Sequence, residues 1–155
     1  THPEYSYMKV KSFPLIPAWA ITIHKLQGQS IAKESALKIK EVSYIHAESF
    51  STSSLKHGPL SLLQKKFPVI LIVPNDCYYT KCMNIYEEIK SREASIILIT
   101  DNTDCDLDHI LIPKNNTFSH LLSVIPLQLL SYELAIKKKI NPDKPRNLAK
   151  VVTVE

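Results

Sequence analysis

Three residues in the first half of the chain are of types that move protons on small molecules. Lys38 and Glu41 stand three positions apart, so on a helix their side chains share one face, with Cβ atoms about 5–6 Å apart. His57 follows in a Lys-His-Gly-Pro turn. An ammonium, a carboxylate and an imidazole within reach of one pocket are suited to general acid–base catalysis. From the residues alone, a solvent-exposed helix face followed by a turn explains the same pattern, and composition favours that alternative.

The composition is that of a single soluble globular domain. Of the 155 residues, 45% are hydrophobic and 22% are charged, which is enough apolar material for a core of ordinary size. The net charge of +4 suits an anionic small molecule as well as nucleic acid and does not decide between them. An odd number of cysteines, three, and no recognisable signal peptide predict a reduced, cytoplasmic setting.

Glycine is scarce, and its scarcity restricts the cofactors that the chain can bind. Gly28 and Gly58 are the only two. Neither a P-loop nor a GxGxxG turn can therefore form, and we expect no cofactor. The apolar region 121–136 contains a proline, a glutamine and a glutamate, which argues against a membrane span.

A possible metal site is suggested by the spacing of the cysteines. Cys77 and Cys82 are separated by four residues, and Cys105 is followed by His109. Structural zinc sites usually combine two pairs of closely spaced ligands, such as two CxxC motifs. The sequence contains no matching second CxxC. We therefore expect no metal, and we expect the cysteines to be ordinary buried or surface thiols.

The elements that must position these residues are predicted to form an α/β layer. The β-branched runs predict buried strands at 69–73, 96–99 and 110–112, and helical periodicity predicts helices at 31–50, 78–92 and 118–138, the last kinked at Pro126. Residues 16–23 are apolar enough for a buried strand or a short helix. Alternating strands and helices without hairpin turns indicate a parallel sheet. Three strands are too few for such a sheet, so we expect a further strand upstream of the first predicted helix.

Five segments then lie in the order and near the spacing of one known family. They are IAKESALKIKEVSYIHAES, LKHGPL, FPVILIVPND, IPLQLLSYELAI and DKPRNLAKVVTVE. Through them, residues 31–155 resemble the C-terminal half of the isomerase domain of glucosamine-6-phosphate synthase, also called glutamine–fructose-6-phosphate aminotransferase. That domain is built from two sugar-isomerase (SIS) subdomains. Departures include Ser35 and the pair Glu93-Ala94, which stand where the family has glycine.

The resemblance implies roles for five residues. In the family, the residue matching Glu41 moves the proton between C1 and C2 of the open-chain sugar, and the residue matching Lys38 assists it. The residue matching His57 helps to open the sugar ring and reaches in from the neighbouring subunit. The residue matching Lys150 forms a Schiff base with the ketose. The backbone around Ala149 contacts the sugar, under a C-terminal tail that folds over it.

The resemblance also implies a fold, a function and partners. The expected fold is a three-layer α/β/α, flavodoxin-like parallel sheet, forming an incomplete half of a double-SIS domain. The expected function is the isomerase part of the conversion of fructose 6-phosphate to glucosamine 6-phosphate, in the hexosamine pathway to UDP-GlcNAc. We expect the glutaminase domain and the first SIS subdomain to be absent. The expected partners are these sugar phosphates, with a second copy of the chain or a first SIS subdomain, and no membrane.

Two alternatives stay open, and one of them concerns the N-terminal residues. The chain is either an active isomerase half or an inactive SIS remnant that binds carbohydrate derivatives. Residues 13–30 (FPLIPAWAITIHKLQGQS) resemble a late motif of superfamily 1 DNA helicases of the RecD type, with Leu26 in place of serine. We therefore divide the chain into an N-terminal extension, residues 1–30, and an SIS subdomain with a catalytic tail, residues 31–155. For the extension, a helicase remnant and an ordinary apolar strand that ends in a turn are equally open alternatives. A nucleic-acid-binding fusion is the less favoured alternative, because without a Walker A loop helicase activity is excluded.

Overall fold

Five parallel strands form one sheet with helices on both of its faces. The computed structural model describes residues 18–23, 26–115 and 118–146. The elements are β1 (Ala18–Ile23), α1 (Leu26–Ser43), β2 (His46–Ser51), β3 (Pro68–Val73), α2 (Tyr79–Lys90), β4 (Ser95–Thr100), β5 (His109–Leu111), α3 (Ser119–Leu122) and α4 (Val124–Lys137). Two 3-10 helices, Ser54–Lys56 and Pro59–Leu62, lie between β2 and β3. The strand order is β2-β1-β3-β4-β5, and every pair is parallel.

The central strand β3 shows why the helices must cover both faces. All six of its residues are buried, and successive side chains of a strand point to opposite faces. Ile70 and Ile72 pack into the core under α1 and α4. Val69 packs with α2 and with the two 3-10 helices, while Leu71 packs under α2. The predicted three-layer α/β/α fold with a parallel sheet is therefore confirmed.

The predicted helix 31–50 is wrong at both ends. Its C-terminal end is wrong because the turn that stops the helix contains no glycine to mark it in the sequence. Helix α1 ends at Ser43, and Tyr44 takes a left-handed conformation with φ +54° that glycine usually supplies. The chain then enters β2 at His46. His46 fits a helical spacing in the sequence, but it is exposed on this edge strand, with its Nε2 3.2 Å from a carboxylate oxygen of Glu48.

The further strand that we expect upstream is β1, formed by residues for which the sequence predicts either a strand or a short helix. It pairs with β2 on one side and with β3 on the other, so it lies inside the sheet. Helix α1 starts at Leu26 and runs through residue 31 without a break. The helicase origin of residues 1–30 stays a prediction, and residues 1–17, 24 and 25 lie outside the described part of the chain.

The C-terminal helical segment breaks at a serine and not at its proline. Helices α3 and α4 are separated at Ser123, whose buried hydroxyl donates to the carbonyl oxygen of His120 at 2.6 Å. Pro126 occupies the first turn of α4, where the missing N–H costs no helical hydrogen bond. The predicted kink at Pro126 is therefore replaced by a break three residues earlier.

The outer face of α3 and α4 is apolar. Its exposed large side chains are Phe118, Leu121, Ile125, Leu129, Tyr132 and Ile136. Within the described residues, Ser119–Lys137 is the one segment long and apolar enough to cross a membrane by length and composition. Core helices of folded domains meet the same criteria, and the inner face of this segment packs against α1.

We predict that Thr22→Val raises the free energy of unfolding. The Thr22 side chain on β1 is fully buried, and its hydroxyl has no hydrogen-bond partner among the described residues. Removing an unpaired buried hydroxyl should stabilise the protein by about 1 kcal/mol. Urea denaturation measures the change, with Thr80→Val on the exposed side of α2 as the control that leaves stability nearly unaltered. A loss of stability in Thr22→Val would contradict the absence of a partner.

Candidate active site

The structure places Lys38 and Glu41 side by side near the end of α1. The Lys38 ammonium lies 2.7 Å from a carboxylate oxygen of Glu41. The side chain of Glu41 is only 18% exposed, whereas that of Lys38 is 56% exposed. The carboxylate is thus largely shielded from water and the ammonium faces outward. A weakly hydrated carboxylate with one fixed cation is a suitable general base for a proton next to a carbonyl.

A groove between α1 and α4 continues from this ion pair. It has a volume of about 360 Å³, near the lower limit of the size of small-molecule sites. The groove is lined by Ser30, Ile31, Glu34, Ser35, Lys38, Val124, Leu127, Gln128 and Ser131. Lys38 therefore belongs both to the ion pair and to the groove.

His57 lies in the predicted turn, at the surface. Its backbone N–H donates to the carbonyl oxygen of Ser54 at 3.0 Å, and its side chain is exposed. Gly58 follows with φ +133°, a conformation that disfavours any side chain, and Pro59 begins the next 3-10 helix. The Lys-His-Gly-Pro sequence thus fixes the backbone on both sides of the imidazole while leaving the ring open to a ligand or a second molecule.

Glu41 and His57 of one chain are far apart. Helix α1 packs on the face of the sheet that holds Ile70, whereas Leu55 and Leu60, which flank His57, pack on the opposite face. The two residues also lie at opposite ends of β2, since Glu41 precedes this strand and His57 follows it. A six-residue strand is about 17 Å long. One chain therefore cannot bring both side chains to one ligand.

The last described residues return to the end of α1. The backbone N–H of Arg146 donates to the Tyr44 hydroxyl at 2.6 Å, and its guanidinium carbon lies 4.2 Å from the centre of the Tyr44 ring. Tyr44 lies three residues after Glu41 in the sequence. Its contact with Arg146 joins residues 102 positions apart. Sequence reasoning missed it, because neither residue carries a recognisable chemical signal. The predicted site residues Ala149 and Lys150 lie outside the described residues.

A buried carboxylate at the carboxyl edge of the sheet was also missed. Asp101 follows β4 and is only 4% exposed. It accepts a hydrogen bond from the backbone N–H of Asn75 at 2.6 Å and another from the Ser119 hydroxyl at 2.9 Å. Asp101 therefore joins the end of β3 to the start of α3. The signal in the sequence that could have indicated Asp101 is its place, as an acidic residue at the end of a predicted buried strand.

The cysteines do not converge on a metal site. Among the described residues, no three or more His, Cys, Asp or Glu side chains form a group that holds a metal ion. Cys77 is exposed, whereas Cys82 is buried in the core between α2 and the sheet. Burial raises the pKa of the Cys82 thiol, an effect that its contact with Thr52 reduces in part.

Comparison with known proteins gives one matching family and several similar proteins. Residues 27–138 match the SIS domain family. Over 128 residues the chain is 52% identical to a protein of Acanthamoeba polyphaga mimivirus described as a probable glutamine–fructose-6-phosphate aminotransferase (isomerizing). The match covers 81% of this chain and 21% of that protein, so the chain spans about a fifth of the length of this relative.

Solved structures give the same result. The C-terminal domain of glucosamine–fructose-6-phosphate aminotransferase from Francisella tularensis superposes with a TM-score of 0.74 at 34% identity, over 83% of this chain and 38% of that one. Glucosamine-6-phosphate deaminase from Thermotoga maritima superposes with a TM-score of 0.77 at 26% identity, over 92% of this chain and 42% of that one. These likenesses confirm the resemblance that the sequence motifs indicated.

We predict that Cys82 reacts much more slowly with iodoacetamide than Cys77. Cys82 is only 1% exposed, and its raised pKa lowers the fraction of reactive thiolate. At pH 8 we expect a rate difference of at least about tenfold, measured by mass spectrometry of the labelled peptides. Denaturant should equalise the two rates, and equal rates in the folded protein would contradict the burial of Cys82.

The same shift has a consequence for stability. The pKa of Cys82 is higher in the folded protein than in the unfolded chain, so the thiol contributes stability below the unfolded pKa of about 8.5. Above that pH the unfolded chain loses the proton more readily, and the free energy of unfolding falls. Cys82→Ala should remove this part of the pH dependence.

Proposed function

The chain belongs to the SIS domain family, and we propose that it carries the ketose–aldose isomerase chemistry of glutamine–fructose-6-phosphate aminotransferase. Its substrates in this proposal are fructose 6-phosphate and glucosamine 6-phosphate. The chain spans about a fifth of the relatives that bear this name, so their complete reaction is part of the proposal. We assign it to the cytoplasmic route to UDP-GlcNAc on the same grounds.

One observation carries the proposal, namely the Lys38–Glu41 ion pair, whose carboxylate is shielded and whose lysine also lines a ligand-sized groove. The pair occupies the family positions for the proton-transferring carboxylate and its assisting lysine. A second pair of the same residue types and spacing, Glu87 and Lys90 on α2, is more loosely held at 3.9 Å, with the carboxylate side chain 64% exposed. The contrast supports a specific role for Glu41, because an ordinary surface pair requires no shielding of the carboxylate.

In the proposed reaction Glu41 acts as the base. Its carboxylate removes the proton from C1 of the open-chain sugar, and the electron pair moves to the neighbouring carbonyl to give an enediolate. Glu41 then returns the proton to C2, while the proton of the C1 hydroxyl moves to O2 and the C1 carbonyl forms. The Lys38 ammonium stabilises the negative charge that develops on the sugar oxygens. An ion pair held at 2.7 Å before the substrate binds needs little rearrangement during the reaction.

A second copy of the chain is the proposed source of the imidazole. Within one chain Glu41 and His57 lie on opposite faces of the sheet, which supports a site composed of Glu41 from one copy and His57 from another. His57 would then donate or accept the proton needed to open the sugar ring. A first SIS subdomain is the second proposed partner, and it would hold the sugar phosphate.

Lys150 is proposed to form a Schiff base with the ketose. The primary amine attacks the C2 carbonyl, and water leaves as the C=N bond forms. A lysine that is desolvated near a closed site has a lowered pKa and attacks as the free amine. The backbone around Ala149 is proposed to contact the bound sugar.

We predict that Glu41→Gln abolishes conversion of fructose 6-phosphate to glucose 6-phosphate. The amide cannot accept the proton, so the rate should fall at least about 100-fold. The conversion is measured by coupling product formation to a glucose-6-phosphate dehydrogenase. Glu87→Gln is the matched control on α2 and should keep the parent rate.

Two results would contradict this proposal. Equal rates for the parent protein and Glu41→Gln would exclude Glu41 as the base. A parent protein that binds glucosamine 6-phosphate in a calorimetric titration, yet converts no sugar at any protein concentration, would instead support the inactive remnant.

We also predict that two inactive variants restore activity when they are mixed. Glu41→Gln and His57→Asn each damage one half of a shared site. In a mixed dimer, one of the two sites combines an intact Glu41 with an intact His57. Equimolar mixing with exchange of subunits should therefore recover about a quarter of the parent rate. No recovery, with exchange verified by mass spectrometry of differently tagged chains, would contradict a site shared between two copies.

A further inference from the structure

We propose that Ser35 is a specificity-determining residue, whose hydroxyl forms a hydrogen bond with the C3 or C4 hydroxyl of a sugar bound in the groove between α1 and α4. The inference rests on the proposed function for the identity of the ligand. It concerns a hydroxyl to which the proposed acid–base chemistry gives no role. Ser35 is also a position at which this chain departs from the glycine of the family it resembles.

The Ser35 side chain is buried, and its hydroxyl has no partner in the protein. Ser35 is only 6% exposed. Two other buried serines on the same two helices, Ser43 and Ser131, each donate to the carbonyl oxygen four residues earlier, at 2.6 and 2.8 Å. Within the part of the chain that the structure describes, no group donates to or accepts from the Ser35 hydroxyl. Because an unpaired buried hydroxyl destabilises a fold, this one is available for a ligand.

The groove is the space onto which this hydroxyl opens. Ser35 lines it together with Ile31 and Lys38, and residues three or four apart on α1 share one face of the helix. Ser131 lines the groove from α4 and is 4% exposed. Its proton is already donated to the carbonyl oxygen of Leu127, so its oxygen offers lone pairs only. The two buried serines thus supply one free donor and one free acceptor to the groove.

A donor and an acceptor on facing helices fit the hydroxyl groups of a ligand, because each hydroxyl both donates and accepts. The apolar side chains of Ile31, Val124 and Leu127 line the same groove and suit the C–H bonds of a carbon chain. The groove volume of about 360 Å³ lies within the range of small-molecule sites. The favoured ligand is therefore a chain of hydroxylated carbons, which is what an open-chain sugar presents beyond its carbonyl.

The distance from Lys38 indicates which carbons of the sugar meet Ser35. In the proposed reaction the Lys38 ammonium stabilises charge on the oxygens of C1 and C2. Ser35 precedes Lys38 by three residues, a rise of about 4.5 Å along the helix. Carbons three bonds apart in an extended chain are about 3.8 Å apart. The hydroxyls on C3 and C4 are thus the ones that lie beside Ser35.

The test compares the loss of the hydroxyl from the protein with its loss from the ligand. Dissociation constants for glucosamine 6-phosphate and for its 3-deoxy and 4-deoxy analogues are measured by calorimetry, with the full chain and with Ser35→Ala. We expect Ser35→Ala to bind glucosamine 6-phosphate about fivefold more weakly, the effect of one neutral hydrogen bond. For the analogue that lacks the bonded hydroxyl, Ser35→Ala should cause no further loss, because the partner is already gone.

Ser43→Ala is the matched control on the same helix. Ser43 is buried and hydrogen-bonded, and it does not line the groove, so its loss should lower the melting temperature and leave the dissociation constant unaltered. Ser35→Ala should keep or raise the melting temperature, since it removes an unpaired hydroxyl. Weaker binding by a protein at least as stable as its parent separates a ligand contact from a structural role.

Three results would overturn the inference: unchanged affinity in Ser35→Ala, the same further loss for both deoxy analogues, or no measurable affinity in the parent. The proposed function is tested apart from it, by conversion of fructose 6-phosphate. Conversion together with unchanged affinity in Ser35→Ala would keep the isomerase and remove Ser35 from its site. Affinity that depends on Ser35 without any conversion would support the sugar contact and contradict the isomerase.

Discussion

The left-handed turn at Tyr44 is the constraint on which the rest of the site depends. A helix of 18 residues must stop at Ser43 for β2 to enter the sheet beside β1, and it stops there without a glycine. The same conformation presents the Tyr44 ring to Arg146. Glu41 lies one turn earlier, so the end of this helix both holds the Glu41 carboxylate in its ion pair with Lys38 and contacts Arg146. A change that straightened this turn would affect both at once.

The sheet separates the Lys38–Glu41 ion pair from His57. Parallel strands that are buried on both faces require a layer of helices on each side. In this chain the Lys38–Glu41 ion pair lies in one layer and the turn that holds His57 lies in the other. A small sugar cannot contact both layers across the sheet.

Much of this could be predicted from residue patterns, and the exceptions have physical causes. The runs at 69–73 and 96–99 are β-branched on both faces, and β3 and β4 lie there. The i,i+3 spacing of Lys38 and Glu41 was sufficient to place them together. The strand β2 was lost because helical spacing continues through Tyr44, where the backbone takes a conformation that its side chain does not signal. The contact of Arg146 with Tyr44 spans 102 positions, and no local pattern encodes it.

The central place of β1 in the sheet has a consequence for where such a chain can be divided into domains. β2 has β1 as its strand partner, and β1 is also what joins it to β3. A cut at residue 30 or 31 would pass through α1 and remove the strand that connects the edge of the sheet to its centre. The position demands only six extended residues with buried side chains such as Ala20, Ile21 and Thr22. The described side chains of this strand therefore meet a packing requirement, whereas the Lys38–Glu41 ion pair lies on the helix that follows.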